Sequence, residues 1–265
     1  MVDGKVQQSA GAVVEAASAA AAGEPYTLEL HSTWAETGTL LGIRLGASEQ
    51  LLQQYSTPGQ YLEIVHHHRP LHGQHQDHSQ AGRGYFALAA APQVHSGQLE
   101  LLVRRSSLLA TALQHSELQL QTSGIQGQGF ALAAAAGHNL LLVATGSGIA
   151  PLRATLQQLF GSRPERERFG HIALLYGERS MEDFAYLPEL QRLTGEGLQL
   201  SLVSSQQRQG RDEPSYVQHR LQESPPTWLG ENTTVLLCGQ PLMLAETTQV
   251  LLTRGVPAGQ ILRNY

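Results

Sequence analysis

An antiparallel β-barrel or sandwich followed by a parallel sheet wrapped in helices is the architecture this chain predicts, and three observations predict it. From about Pro25 to Ala133, short apolar runs are divided by turn residues, the spacing of antiparallel strands. From Leu140 onward, apolar strand-length runs alternate with amphipathic segments, the spacing of a parallel α/β sheet. Between the first of those strands and its helix stands Gly146-Ser147-Gly148, a glycine-rich turn of the kind that opens a nucleotide-binding unit.

The first two dozen residues are rich in Ala but carry Asp3, Glu15 and Glu24, a poor fit to a signal or transit peptide, and read as a frayed arm over residues 1–24. Strands are expected at Tyr26 to Leu30, Thr39 to Leu45, Gln60 to Val65, Tyr85 to Ala90 and Gln98 to Val103. In the second half, strands are expected at Leu140 to Thr145, His171 to Tyr176, Leu198 to Ser204, Thr234 to Cys238 and Gln260 to Leu262. Helices should fill Pro151 to Phe160, Met181 to Leu193, Tyr216 to Gln222 and Leu242 to Arg254. Crossovers of such a sheet are right-handed, and its ligands bind at the carboxyl ends of the strands. The loops after Thr145, Tyr176, Ser204 and Cys238 should therefore line one crevice. Arg208 to Pro214 reads as a solvated loop.

Composition excludes several classes. At 265 residues the chain is long enough for one large domain or two of ordinary size. Its single cysteine, Cys238, permits no internal disulfide, zinc knuckle or iron-sulfur cluster, and suggests a reducing compartment. Seventeen basic against 22 acidic residues leave a net charge of −5, and the one lysine and sixteen arginines are scattered, so no stripe for nucleic acid is present. The longest uncharged stretch, Leu118 to Leu152, is broken by glycines and cannot be one membrane-spanning helix.

The run Leu140 to Leu152 carries the sharpest chemical signal. Gly146 and Gly148 let the backbone approach an anion, the free N–H groups of the following helical turn point at the same place, and Pro151 suits that turn because its missing N–H costs nothing there. A pyrophosphate is the expected guest, and an ordinary tight turn is the alternative.

These residues resemble the Gly-Thr-Gly-Ile-Ala-Pro motif of the ferredoxin-NADP reductase family of flavoproteins. Other segments resemble the family's motifs in the same order: Thr57 to Leu62 its Pro-Gly-Gln-Tyr strand, Ser123 to Phe130 its Gly-Pro-x-Gly-x-Gly-Phe loop, Leu174 to Arg179 its Leu-Tyr-Gly-x-Arg stretch, Tyr216-Val217-Gln218 its Tyr-Ile-Gln, and Cys238 to Met243 its Cys-Gly-Pro-x-x-Met. The resemblance covers about Gly38 to Tyr265. It implies an FAD-binding antiparallel β-barrel over residues 25–134 and a Rossmann-like NAD(P)-binding α/β domain over 138–265. The implied activity is hydride transfer between NAD(P)H and FAD, with electrons passed on to an unidentified acceptor.

For FAD, the resemblance implies Arg83 at the pyrophosphate and Tyr85 beside the flavin, with Phe86 standing where the family keeps a hydroxyl residue and Ala89 to Ala91 replacing neighbouring serines. After Val103 the family has a helix start aimed at the flavin diphosphate; here Arg104, Arg105, Ser106, Ser107 and Thr111 occupy that place, either holding phosphate or merely capping a helix. Gly127, Gly129 and Phe130 come with the glycine loop. For the nicotinamide nucleotide, the resemblance implies Thr145, Gly146, Ser147, Gly148, Ile149, Ala150, Pro151, Tyr176, Gly177 and Arg179. It adds Cys238, Gly239, Gln240, Pro241 and Met243, with Ser204, Ser205 and Arg208 toward a 2'-phosphate and Tyr216 under the adenine. Hydroxyls, a nearby arginine and the lack of any acid between Leu198 and Gly210 favour NADP over NAD, with NAD possible. Cys238, beside the nicotinamide, and the terminal Tyr265, stacked on the flavin, are the expected catalytic residues. Arg263 replaces the glutamate of plant-type reductases, so their Ser and Glu proton relay is missing at both positions.

The expected partners are NAD(P)H and a separate electron-acceptor protein or small molecule, without nucleic acid or a transmembrane segment. The expected compartment is the cytoplasm, with the plastid stroma as alternative. The tract His66 to His78 reads as a solvated insertion between two barrel strands, and no metal is expected. A reductase fold that has lost turnover and serves as a binding or structural module is the competing function, supported by Phe86, the alanine run and Arg263.

Overall fold

The computed structural model describes residues 24–68, 82–92, 94, 97–114, 118–206 and 215–264. The first half forms β1 (Tyr26–Ala35), β2 (Leu40–Gly46), a short helix α1 (Glu49–Leu52), β3 (Tyr61–His68), β4 (Gly82–Ala87), β5 (Gln98–Arg104), α2 (Leu108–Ala112), β6 (Leu118–Thr122) and β7 (Ile125–Gln126). The strands hydrogen-bond in the order β4-β3-β6-β1-β2-β5, with β7 beside β3. A bridge between Leu88 and Leu101 joins the end of β4 to β5, so the sheet curls almost shut. That selects the barrel over the sandwich.

Partner exchange along β1 makes the curl possible. Its first residues pair with β6, its later ones pair with β2, and the register slips between Leu30 and Ser32. Such a bulge bends a strand and increases its twist. Ile43, Leu45, Leu62, Ile64, Leu88, Leu101 and Leu120 point inward at period two and fill the barrel.

The second half runs β8 (Asn139–Thr145), α3 (Ile149–Phe160), α4 (Arg163–Glu167), β9 (Ile172–Glu178), α5 (Leu187–Thr194), β10 (Leu198–Ser204), α6 (Val217–Glu223), β11 (Thr233–Cys238), α7 (Pro241–Thr253) and β12 (Ile261–Arg263). All five strands are parallel, in the order β10-β9-β8-β11-β12. The three central strands β8, β9 and β11 are apolar and buried almost throughout because helices cover both faces. One core cluster includes Leu40, Ala89, Leu102 and Phe130 of the first half together with Leu142, Ile149, Tyr176 and Leu236 of the second, so the halves share buried surface.

Three expectations are corrected. The strand Leu118–Thr122 is absent from the sequence reading, although its Leu-Gln-Leu-Gln-Thr alternation is the expected signal. The first histidines of the His66 to His78 tract belong to β3 rather than to an insertion, since His66, His67 and His68 pair with Leu120, Gln119 and Leu118; the tract from Arg69 to His78 lies outside the described residues. The single helix expected over Met181 to Leu193 is broken. A 3₁₀ turn at Met181–Asp183 leads into extended Phe184 and a left-handed Tyr186 at φ +59°, and only then does α5 begin, with Pro188 in its first turn. A left-handed tyrosine costs about 1–2 kcal/mol. It is offset by the seam it fills: Tyr186 donates its backbone N–H to Glu36 Oε1 at 2.7 Å, and its ring lies 4.0 Å under the Arg153 guanidinium.

No helix among the described residues is long and apolar enough to cross a membrane.

Candidate functional site

The order of the parallel sheet places the site. From β8 the chain winds outward through β9 to β10, then returns past β8 to form β11 and β12. The direction of winding therefore reverses between β8 and β11, and a crevice opens at their carboxyl ends. Those ends are Thr145 and Cys238. They are stitched together: the Gln240 N–H donates to Thr145 Oγ1 at 3.2 Å. Gly148 sits so close that a Cβ there would run into the Cys238 carbonyl. Gly146, at φ +59°, makes the turn between β8 and α3 and leaves room for the Arg104 guanidinium, whose Nη2 lies 2.8 Å from where a Cβ would stand.

Two cavities meet at this crevice. The first, about 320 Å³, lies between barrel and sheet and is lined by Tyr85, Phe86, Ala87, Leu102, Val103, Arg104 and Ser107 on one side, and by Thr145, Ser147, Gly148, Ala150, Pro151, Cys238, Gly239 and Gln240 on the other. The second, about 560 Å³, runs along the strand ends past Arg104, Thr145, Gly146, Gly177, Glu178, Arg179, Ser205, Tyr216, Gln218, His219, Gln240, Met243 and Glu246. Arg104, Thr145 and Gln240 belong to both walls.

On the barrel side, Arg83 Nη1 is 3.0 Å from Glu63 Oε1, and the Tyr85 hydroxyl donates to the same oxygen at 2.9 Å. The Tyr85 ring is 61% exposed at the mouth of the first cavity, meeting Tyr61 edge-on at 6.1 Å. Ser107 caps α2 by accepting from the Ala110 N–H, and the Thr111 hydroxyl donates to the Ser107 carbonyl. Both hydroxyls thus serve their helix, while Ser107 also borders the first cavity.

Behind the wall of the second cavity, the buried Tyr176 hydroxyl donates at 2.8 Å to Oε1 of Glu178, which lines it. Burial pushes the Glu178 carboxyl up to about 7; the Tyr176 hydrogen bond opposes the shift, the Asp183 charge adds to it, and the Arg104 charge opposes it. Burial and the adjacent Glu178 also raise the Tyr176 hydroxyl well above its ordinary range, so it remains a donor. Gln218, 9% exposed, donates its Nε2 to Glu246 Oε2 at 2.6 Å, which leaves Gln218 Oε1 buried without a hydrogen-bond partner. That orphaned acceptor on the cavity wall is what a ligand hydroxyl or amine would satisfy. The Tyr216 ring stands half exposed beside it, edge-on to His219.

The structure thus brings together Tyr85, Phe86, Ser107, Thr145, Gly146, Ser147, Gly148, Ala150, Pro151, Gly177, Arg179, Ser205, Tyr216, Cys238, Gly239, Gln240 and Met243. Arg83 sits one residue beyond Gly84 on the same strand as Tyr85 and shares its carboxylate partner. Ser106, Thr111, Gly127, Gly129, Phe130, Ile149, Tyr176, Ser204 and Pro241 line neither cavity. The glycine loop instead locks the barrel: Phe130 N–H donates to the Pro58 carbonyl, and Gln60 Nε2 donates to the Gly127 carbonyl. Arg208 and Tyr265 lie outside the described residues. The sequence reading missed Glu178, Gln218 and Glu246, and gave Arg104 to the flavin side alone. Gln218 had a signal, since it closes the Tyr-Val-Gln motif; the others come from elements far apart in sequence.

Comparison with known proteins agrees with this arrangement. Residues 142–249 match the family model described as oxidoreductase NAD-binding domain. The chain is 28% identical to the sulfhydrogenase 2 subunit gamma of Pyrococcus furiosus over 195 residues, 68% of this chain and 66% of that one. It is 34% identical over 119 residues to the NADPH sulfite reductase flavoprotein alpha-component of Vibrio cholerae, covering 43% of this chain but 19% of the relative. The chain therefore spans just under two thirds of the first relative and about a fifth of the second. Among solved structures, a ferredoxin NADP+ reductase from Neisseria gonorrhoeae with bound FAD and NADP superposes with a TM-score of 0.69 at 18% identity, over 90% of this chain and 96% of that one. A matching oxidoreductase NAD-binding segment over residues 142–249 and a barrel-and-sheet fold like that of the ferredoxin NADP+ reductase structure thus accompany the crevice at the strand reversal.

Proposed function

We propose that the chain is an FAD-dependent NAD(P)H oxidoreductase, with a flavin-holding unit over 25–134 and a nucleotide-holding unit over 138–265. The observation that carries this reading is the contact of two cavities at Thr145, Gln240 and Arg104, one opening between barrel and sheet, the other running along the strand ends. The first suits a flavin ring and the second a dinucleotide, and they join where the two rings have to meet. The donor set fits: a positive-φ glycine turn, Arg104 and Arg179 for phosphates, an exposed Tyr216 for a base, and an orphaned Gln218 acceptor for a ribose hydroxyl.

When bound, the flavin supplies the acceptor for the hydride of NAD(P)H and releases the electrons singly. The chain's own residues orient and exclude. Arg83 would hold the flavin diphosphate and Tyr85 would cover the ring, while Ala87, Leu102, Val103, Ala150 and Pro151 give the first cavity an apolar lining for it. Gly146 and Arg104 hold the nucleotide diphosphate, and Tyr216 stacks on the adenine. Cys238, 2% exposed at the end of β11, bounds the first cavity and fixes the approach of the nicotinamide. Ser205 and the sequence around Arg208 favour NADP over NAD. The acceptor is a separate protein or small molecule, and a reducing compartment such as the cytoplasm suits the single cysteine. The non-catalytic alternative finds no support, because the glycine turn, Arg104 and Cys238 all open on the crevice.

A visible spectrum tests the proposal. Purified protein, as isolated or after incubation with FAD, should show oxidised-flavin bands that bleach on anaerobic addition of NADPH. A colourless protein that retains no added FAD overturns it.

A further inference from the structure

Residues at the seam between barrel and sheet close a circuit of contacts. Trp34 Nε1 donates to Glu36 Oε2 at 2.7 Å, and the Tyr186 backbone N–H donates to Glu36 Oε1 at 2.7 Å. The Tyr186 ring lies 4.0 Å under the Arg153 guanidinium, and Arg153 Nη1 meets Glu100 Oε1 at 2.6 Å. Arg44 Nη2 reaches Glu100 Oε2 at 3.4 Å, and its guanidinium covers the Trp34 ring at 5.2 Å, which returns the circuit to its start. Trp34, Glu36, Arg44 and Glu100 belong to the barrel half, Arg153 and Tyr186 to the sheet half, so the circuit crosses the seam at Glu36–Tyr186 and again at Glu100–Arg153. A further tie runs beside it: Thr39 Oγ1 donates to Asp183 Oδ1 at 3.1 Å, and Ser180 Oγ donates to Asp183 Oδ2 at 2.8 Å.

Folding alone does not call for this circuit. Glu100 is 2% exposed, and a buried ion pair is often replaceable by apolar residues without loss of stability. Tyr186 is the one non-glycine residue with positive φ among the described residues, and such outliers persist where their surroundings impose them, most often at functional sites. What the circuit supplies is direction. The apolar core that the halves share resists their separation but is non-directional, whereas hydrogen bonds and an ion pair fix an angle.

The elements that cross the seam also build the cavity walls. Glu100 stands two residues before Leu102 on β5, and Leu102, Val103 and Arg104 line one side of the first cavity. Arg153 stands two residues after Pro151 on α3, and Ala150 and Pro151 line the opposite side. Tyr186 ends the turn that follows Glu178 and Arg179 of the second cavity. A rotation of barrel against sheet therefore changes the separation of facing walls.

We infer that this circuit is a brace that sets the angle between the flavin-holding and nucleotide-holding units, with Glu36, Arg153 and Tyr186 as positioning residues for hydride transfer. The inference rests on the reductase reading above and adds to it the residues that fix the approach of its two ligands; none of the three lines either cavity. A misplacement of about 1 Å caused far from the reacting atoms can cost on the order of a hundredfold in rate. Loosening the brace should slow transfer between bound ligands and leave each ligand's own contacts intact.

Two measurements on the same variants test it. One is the rate at which saturating NADPH bleaches the FAD-loaded protein in anaerobic stopped flow, with FAD retention and the Kd for NADP+ alongside. The other uses the protein as purified: nitroxide labels on Gln119→Cys and Gln249→Cys, exposed positions of β6 and α7, report the barrel-to-sheet distance distribution by pulsed electron paramagnetic resonance, with Cys238 buried against labelling. Glu36→Ala removes one crossing, and Arg153→Lys keeps the charge but loses the planar fork. Each should slow bleaching at least about tenfold, hold both affinities within about twofold and broaden the distance distribution. Glu36→Gln keeps an acceptor for the Tyr186 N–H and should restore rate and distribution. Ile43→Val, a barrel-core change, should lower Tm and move neither readout. A wild-type bleaching rate or a wild-type distance distribution in both Glu36→Ala and Arg153→Lys overturns the brace and leaves the reductase reading standing. A wild type that holds no FAD, or whose FAD NADPH does not bleach, overturns that reading and the positioning role together.

Discussion

Arg153 Nη1 lies 2.6 Å from Glu100 Oε1, so a cation of α3 is seated on a carboxylate of barrel strand β5. The Arg153 Nε meets Glu189 of α5 at 2.6 Å, its Nη1 also donates to the Ala89 carbonyl, and its guanidinium covers the Tyr186 ring. Glu100 is 2% exposed and has Arg44 as its second partner at 3.4 Å. Removing one partner of a buried pair costs roughly 3–5 kcal/mol. Because Arg44 stays, Arg153→Met should fall at the lower end, about 3 kcal/mol, visible as a lower midpoint in urea unfolding.

Glu63 holds Arg83 and Tyr85 together at the mouth of the first cavity. If Arg83 pairs with a flavin diphosphate, Glu63 competes with that ligand for its charge. Arg83→Ala should lower FAD retention about tenfold or more, the range for loss of a hydrogen bond to a charged group. Glu63→Gln should raise retention. Flavin absorbance after gel filtration reads both, and a Glu63→Gln protein that loses flavin would reverse the assignment.

At Gly146 two constraints coincide. The left-handed backbone costs a side-chain-bearing residue about 1–2 kcal/mol, and a Cβ would press on Arg104. Gly146→Ala is expected to lower Tm by a few degrees and to raise KM for NADPH, with flavin content unchanged.

Tyr216 presents an exposed ring beside the Gln218–Glu246 pair. Stacking of a base on an aromatic ring is worth about 1–3 kcal/mol. Tyr216→Ala should raise KM for the nucleotide roughly tenfold while kcat changes less, whereas Tyr216→Phe should behave as wild type; steady-state kinetics distinguish a stacking ring from a core residue.

Most of the strands and the glycine turn were legible because each is a local pattern. Leu140 to Thr145 is uniformly apolar, and Gly146 follows at a point where only glycine turns easily. The break at Phe184 to Tyr186 was hidden because the helical spacing of Met181 to Leu193 is real; what overrides it is burial of Tyr186 against Arg153 and Glu36, contacts 33 and 150 residues away in sequence. The same distance hid Arg104 over Gly146 and Gln218 against Glu246. The glycine loop Gly127 to Gly129 was read as binding because its motif travels with the flavin site, yet its glycines serve close packing on Pro58 and Tyr61.

The near-contact between Gly148 and the Cys238 carbonyl also limits how this site can diversify. Positions 148 and 238 lie in separate crossover units, yet the backbone of one leaves no space for a side chain on the other. Because the obstacle is the main chain of Cys238 and Gly239, no choice of side chain at 238 can make room at 148, and any side chain there would have to push two strand ends of the sheet apart.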